Sequence, residues 1–270
     1  MSEMTGYVLA DRGVIAMEGA DARDVLQGVV TSDVAALSPG TAVYTALLTP
    51  QGKYLFDFFL LDVGDDRILI DVQAARARDL AQRLMLYCMR RDAKVVSGPP
   101  WQVAQVWGGA PSGDLFAVPD PRLKDLGWRV YGPEVVDALD SMGVRVADAS
   151  EYDALRVTLG VPETGVELIA DDTYILEAGL DRLSGVDFRK GCYVGQEVTA
   201  RMKHKTQLRK GLVRVEVEGA AAPGTPISAN GKPAGTLFTN ANGAGLAHLR
   251  LDRAGPGMAA GEAIVHYVAD

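Results

Sequence analysis

The sequence predicts an α+β fold that ends in a small all-β unit. Strand, helix, strand, strand and helix follow one another over about the first ninety residues, which is an α+β order. No fixed-period repeat interrupts it. Over about the last sixty residues, five short strands come between Gly, Pro and Asn, as in a small β-barrel or sandwich.

The elements can be read in order. Tyr7–Ala10 and Gly13–Met17 are short apolar runs around an Asp11-Arg12 turn and read as strands. Residues 19–27 switch to helical spacing, with Asp21 placed as the N-cap. Ala42–Leu48 and Tyr54–Val63 read as strands joined by Thr49-Pro50-Gln51-Gly52, a hairpin turn. Asp65-Asp66 turns the chain into a strand at Arg67–Asp71. Ala74–Met89 reads as an amphipathic helix, with Leu80, Leu84 and Cys88 on its apolar face. Ser97-Gly98-Pro99-Pro100 is a breaker and a possible subdomain boundary. Val103–Trp107, Leu115–Val118 and Trp128–Tyr131 read as strands, and Pro133–Met142 and Glu151–Leu159 as helices. Thr173–Leu183 reads as either a short helix or a turn. The closing strands are expected at Gly211–Val217, Thr225–Ile227, Gly235–Phe238, Gly245–Leu249 and Ala263–Val268. The expected division is an α+β region over 1–205 and the β unit over 206–270.

Composition narrows the function classes. The chain has 270 residues, 48% of them hydrophobic and 23% charged, ordinary for a globular protein. No apolar run is long enough for a membrane span. Two cysteines, Cys88 and Cys192, build no disulfide framework, as expected in a reducing compartment; a cytoplasmic location is expected. With Cys88, Cys192, His204, His248 and His266 as the soft ligands, no metal-ligand pair spacing occurs, and one chain cannot supply four thiolates. No Walker loop, dinucleotide fingerprint or Gly-x-Ser-x-Gly elbow is present. The net charge of −8 argues against a DNA platform. Locally, Arg189, Lys190, Arg201, Lys203, Lys205, Arg209 and Lys210 face the single acid Glu197. That run fits either an anionic ligand, tRNA included, or a solvated helix face.

The chemistry concentrates in Lys190-Gly191-Cys192-Tyr193-Val194-Gly195-Gln196-Glu197. Cys192 follows two cations, and a helix is expected to open near Gly195. Such a thiol is a nucleophile, redox centre or soft ligand, unless it is a buried cysteine in a tight turn. Gly191 and Gly195 permit close backbone approach. Gln196 and Glu197 offer the donors and acceptors that read a heterocycle. Asp57 fits either a proton acceptor or an outward strand position. Glu177, in an apolar stretch, needs a partner; Arg201, Lys190 and a ligand are the candidates.

This octet, continued by Val198-Thr199-Ala200-Arg201, resembles the signature of the YgfZ-type folate-binding proteins, which are similar to the glycine cleavage T-protein, an aminomethyltransferase. Leu26–Val34, Leu47–Lys53, Gly160-Val161-Pro162, Ile175–Asp181, Gly231–Thr236 and Gly245-Leu246-Ala247 agree with that family in order. The resemblance implies a ring of ferredoxin-like α+β subdomains with a C-terminal β-barrel, tetrahydrofolate as cofactor, and a role in assembling or maintaining four-iron enzymes. Iron–sulfur enzymes or assembly factors are the implied partners, with a link to tRNA-modifying enzymes. Cys192 and Asp57 are the implied catalytic residues. Lys190, Gly191, Tyr193, Gly195, Gln196, Glu197, Arg201, Glu177 and Arg129 are the implied folate contacts. The chain departs from the T-protein where that family carries a pterin-holding glutamate (here Arg129), an arginine (Asp171), an aspartate (Cys192) and a basic residue (Gln196). These exchanges weigh against aminomethyl transfer, the main alternative activity.

Overall fold

The computed structural model describes residues 3–113, 115–205 and 208–267. They form two compact units, residues 1–51, 55–147 and 181–196 in one, and 52–54, 148–180 and 197–270 in the other.

The first unit holds β1 (Thr5–Val8), β2 (Arg12–Glu18), α1 (Ala22–Val29), β3 (Ala42–Leu48), β4 (Tyr54–Asp62), β5 (Arg67–Gln73), α2 (Ala77–Met85), β6 (Lys94–Ser97), β7 (Gln102–Trp107), β8 (Phe116–Pro119), β9 (Trp128–Gly132), α3 (Val135–Ser141) and β10 (Arg145–Val146). One sheet runs β3-β4-β5-β2-β6 and the other β10-β1-β7-β9-β8. Side-chain alternation sorts each sheet into two faces. On the first sheet Phe58, Leu60, Ile70 and Val72 pack against Leu26, Val29, Leu80 and Leu84 of the two helices. On the second, Ala104, Val106 and Val130 pack against Val135 and Leu139 of α3. β4 is buried along its whole length, so its other face, carrying Asp57 and Phe59, is buried too. The outward setting open to Asp57 is thereby excluded: the residue is 6% exposed.

That other face is a charged layer. Asp71, fully buried, receives Arg12 Nε at 2.7 Å, Arg129 Nη2 at 2.5 Å and the Tyr131 hydroxyl at 2.9 Å. Arg129, Arg122 and Arg12 lie 3.9, 5.0 and 5.7 Å from the Phe59 ring centre. Buried charges persist only when paired and hydrogen-bonded, and each of these is.

The second unit holds α4 (Ala149–Leu159), α5 (Gln196–Lys205) and β11 (Lys210–Glu218), β12 (Thr225–Ala229), β13 (Lys232–Ala241), β14 (Ala244–Arg250), β15 (Met258–Ala260) and β16 (Ala263–His266). The six strands close in the order β11-β14-β13-β12-β15-β16, so the open choice between barrel and sandwich resolves as a closed barrel. A capping box starts α4: Asp148 accepts from Glu151 N, and the Glu151 side chain accepts from Asp148 N.

Several elements differ from expectation. The helix expected over 74–89 ends at Met85, because the chain then turns and Arg90 adopts φ +64. Asp21 sits at the α1 N-cap, yet its carboxylate accepts from Asp92 N instead of from the helix. Residues 173–183 form turns. β6, β10 and β15 were not anticipated, since each has only two to four residues and little internal pattern. Val268, assigned to the last strand, lies outside the described residues, as does the side chain of Lys205.

Candidate functional site

The octet departs from a tight loop whose lysine is its anchor. Lys190 is buried, and its Nζ donates to the carbonyls of Val30 at 2.6 Å and Ser32 at 2.8 Å, just beyond the end of α1. Those carbonyls follow the last helical turn, where the chain needs donors. Burial lowers the Lys190 ammonium from 10.5 to about 8, against the pull of Asp33 and Asp187. Tyr193 packs beneath it, with Nζ 5.4 Å from the ring centre.

Cys192 is exposed, which removes the buried-cysteine reading. Cys88, by contrast, packs against the core of α1 and α2, and its burial raises its thiol above the usual range. The two glycines of the octet differ. Gly195 has φ +82, a conformation that side chains adopt at a cost, and α5 starts directly after it. A Cβ on Gly191 would meet nothing within 4 Å, so no other segment of the chain packs closely there.

The other proposed residues scatter. Arg201 Nη2 pairs with Glu197 Oε1 at 2.8 Å, an exposed i,i+4 pair on α5. Glu177 pairs with neither Arg201 nor Lys190 in an ion pair; its Oε2 lies 3.1 Å from His248 Nε2. Together with Lys53, Tyr174, Lys210 and Phe238 they line a small pocket of ≈150 Å³ in the second unit. His248 was not singled out from the sequence, because an imidazole on a barrel strand gives no spacing signal. Arg129 is 1% exposed and donates to Asp71, Tyr131 and Gln105. Asp57 accepts from the Tyr44 hydroxyl at 3.1 Å.

In the first unit the segment leading into the octet walls a cleft of ≈560 Å³. Val43, Tyr44, Val186 and Phe188 give it apolar surface; Ser32, Asp33, Asp187 and Arg189 give it polar groups. Asp33 and Asp187 are themselves held, by Gln27 Nε2 at 3.0 Å and by Arg189 N at 2.7 Å. Thr31 fastens the wall: its Oγ1 donates to Gly185 O at 2.6 Å and its carbonyl accepts from Asp187 N at 3.0 Å. Among the described residues no group of three or more His, Cys, Asp or Glu could hold a metal ion.

Comparison with known proteins bears on this geometry. Residues 10–110 match the GCVT N-terminal domain model, and residues 209–269 match the CAF17 C-terminal beta-barrel domain. The mouse iron–sulfur cluster assembly factor IBA57 is 30% identical over 280 residues, covering 92% of this chain and 78% of the relative. The chain belongs to the IBA57 family. The human IBA57 is 29% identical over 273 residues, covering 90% and 76%. An IBA57 homologue from Neurospora crassa is 31% identical over 248 residues, and the chain spans 56% of its length. The crystal structure of glycine cleavage system aminomethyltransferase T from Bartonella henselae superposes with a TM-score of 0.81 at 17% identity, covering 100% of this chain and 86% of that one. The fold is therefore T-protein-like, α+β with a closed barrel. These IBA57 relatives are named mitochondrial. That overturns the cytoplasmic expectation and points to the mitochondrion. Its physical basis was weak: two free cysteines fit any reducing compartment.

Proposed function

We propose that this chain is an accessory factor for the assembly or maintenance of iron–sulfur proteins, working through the exposed Cys192, and that it binds a reduced folate. The observation that carries the first part is the 30% identity to a protein named as an iron–sulfur cluster assembly factor, over 92% of this chain. One exposed thiol on an anchored loop can donate a single soft ligand. A cluster held there needs further ligands from a partner protein, since the chain has only one other cysteine and it packs in the core.

Folate is supported by the T-protein-like fold and by the cleft beside the octet. Its volume lies within the roughly 300–1,000 Å³ of small-molecule sites, and apolar walls with a few polar groups suit a flat heterocycle. Arg189 would meet the ligand's carboxylates, and Asp33 and Asp187 its ring N–H donors. When bound, a reduced folate supplies one-carbon chemistry. The chain's own residues bind it, orient it and hold the thiol loop next to it. The YgfZ-like signature and the link to tRNA-modifying iron–sulfur enzymes belong to this same reading.

Two experiments test it. In cells lacking the protein, the wild-type gene restores aconitase-type activity and Cys192→Ser does not; full restoration by the serine variant overturns the thiol role. Calorimetric titration with tetrahydrofolate gives heat and a thermal shift; neither signal removes the folate part.

A further inference from the structure

The end of α2 presents a surface that the proposed function does not use. Helical spacing continues past Met85 as turns, with Tyr87 N on Leu84 O and Cys88 N on Met85 O. Leu84, Tyr87 and Cys88 therefore point into the core. Met85, Leu86 and Met89 point out, at 47%, 60% and 75% exposure. Three large apolar side chains thus share one exposed turn, whereas isolated exposed apolar residues are ordinary.

The same turn is ringed by cations. Arg83, Arg90 and Arg91 are exposed, and none of them forms an ion pair among the described residues. Residues 76–92 carry five arginines against two aspartates, +3, in a chain of net charge −8; the remainder carries −11. Arg90 ends the turn at φ +64, a conformation that glycine or asparagine adopts more readily. Arginine holds that position at a conformational cost.

We infer that this patch docks an acidic partner protein that presents an apolar stripe. Methionine and arginine are the residue types enriched at protein interfaces, methionine because it adapts its shape and arginine because it pairs with carboxylates in a fixed fork. Three side chains at the end of a nine-residue helix make too small an apolar face for stable insertion in a bilayer. The positive charge selects against the chain's own basic run and for carboxylates.

The test uses the full chain and a fluorescent helical peptide with leucine along one stripe and glutamate elsewhere, beside its lysine counterpart. Anisotropy gives saturable binding of the glutamate peptide only, weakening as salt rises. Arg83→Glu with Arg90→Glu and Arg91→Glu, and separately Met85→Ser with Leu86→Ser and Met89→Ser, each weaken it by about tenfold or more. Ile264→Ser, at another exposed apolar site, leaves it unchanged. Circular dichroism and melting confirm that the surface variants stay folded. No binding, equal binding of the lysine peptide, or affinity unaffected by the substitutions overturns the inference. So does self-association in sedimentation equilibrium that the same substitutions abolish, or binding to equimolar phosphatidylserine/phosphatidylcholine vesicles without peptide binding.

Discussion

Lys190 Nζ reaches the carbonyl of Val30 at 2.6 Å, tying the start of the cysteine octet to the end of a helix 160 residues earlier in the chain. A buried ammonium that satisfies two main-chain acceptors fixes where the loop leaves the core. Cys192, two residues on, inherits that position while staying exposed.

Replacing Lys190 with Met removes both bonds and leaves two carbonyls short of donors. Hydrogen bonds to charged groups contribute about 1.5–3 kcal/mol, so chemical denaturation of Lys190→Met is expected to show a loss in that range. The effect depends on pH. The folded ammonium titrates near 8 and the unfolded one near 10.5, so between these values the unfolded state binds more protons. Stability contributed at this site therefore rises as pH rises from 8 toward 10.5. The wild-type protein should gain relative to Lys190→Met across that window, and an unchanged difference would count against the burial of the charge.

Asp71 is the second test. Burial alone would raise its carboxyl, yet Arg12 and Arg129 hold it below the usual carboxylate range. Its stabilisation is thus present above the ordinary carboxylate pKa and is lost as pH falls through the depressed one. Asp71→Asn removes the buried carboxylate to which both guanidinium groups donate and should cost about 3–5 kcal/mol in urea unfolding at neutral pH. A loss below about 1 kcal/mol would show that the arginines find water.

The two octet glycines should separate. Gly195→Ala forces a Cβ into φ +82 and should destabilise by about 1–2 kcal/mol. Gly191→Ala meets open space, so its melting temperature should match the wild type. Equal effects would contradict the loop geometry.

Cys192→Ser, at an exposed position, should change stability by less than about 0.5 kcal/mol. Scanning calorimetry on the variant checks this. It also makes any loss of function attributable to the thiol.

Much of the fold was legible because it is written in local periodicity. β3 occupies the expected residues, Ala42–Leu48, and α5 begins beside Gly195 as the octet implied. The five expected barrel strands all exist, each close to its expected place; Met258–Ala260 joins them as a sixth. The octet itself stood out through its resemblance to the YgfZ-type signature.

Partnerships across the sequence were not legible. Nothing near Glu177 announces His248, 71 residues away, and nothing near Arg129 announces Asp71. The sequence by itself determined the α+β class and the β-rich end. Only the tertiary structure decided which thiol is exposed, which lysine is an anchor, and that Arg129 is buried against Asp71. The reason is physical: periodicity is a property of neighbours along the chain. Charge pairing and burial are settled where distant segments meet, and there one carboxylate at 2.5 Å outweighs any local preference.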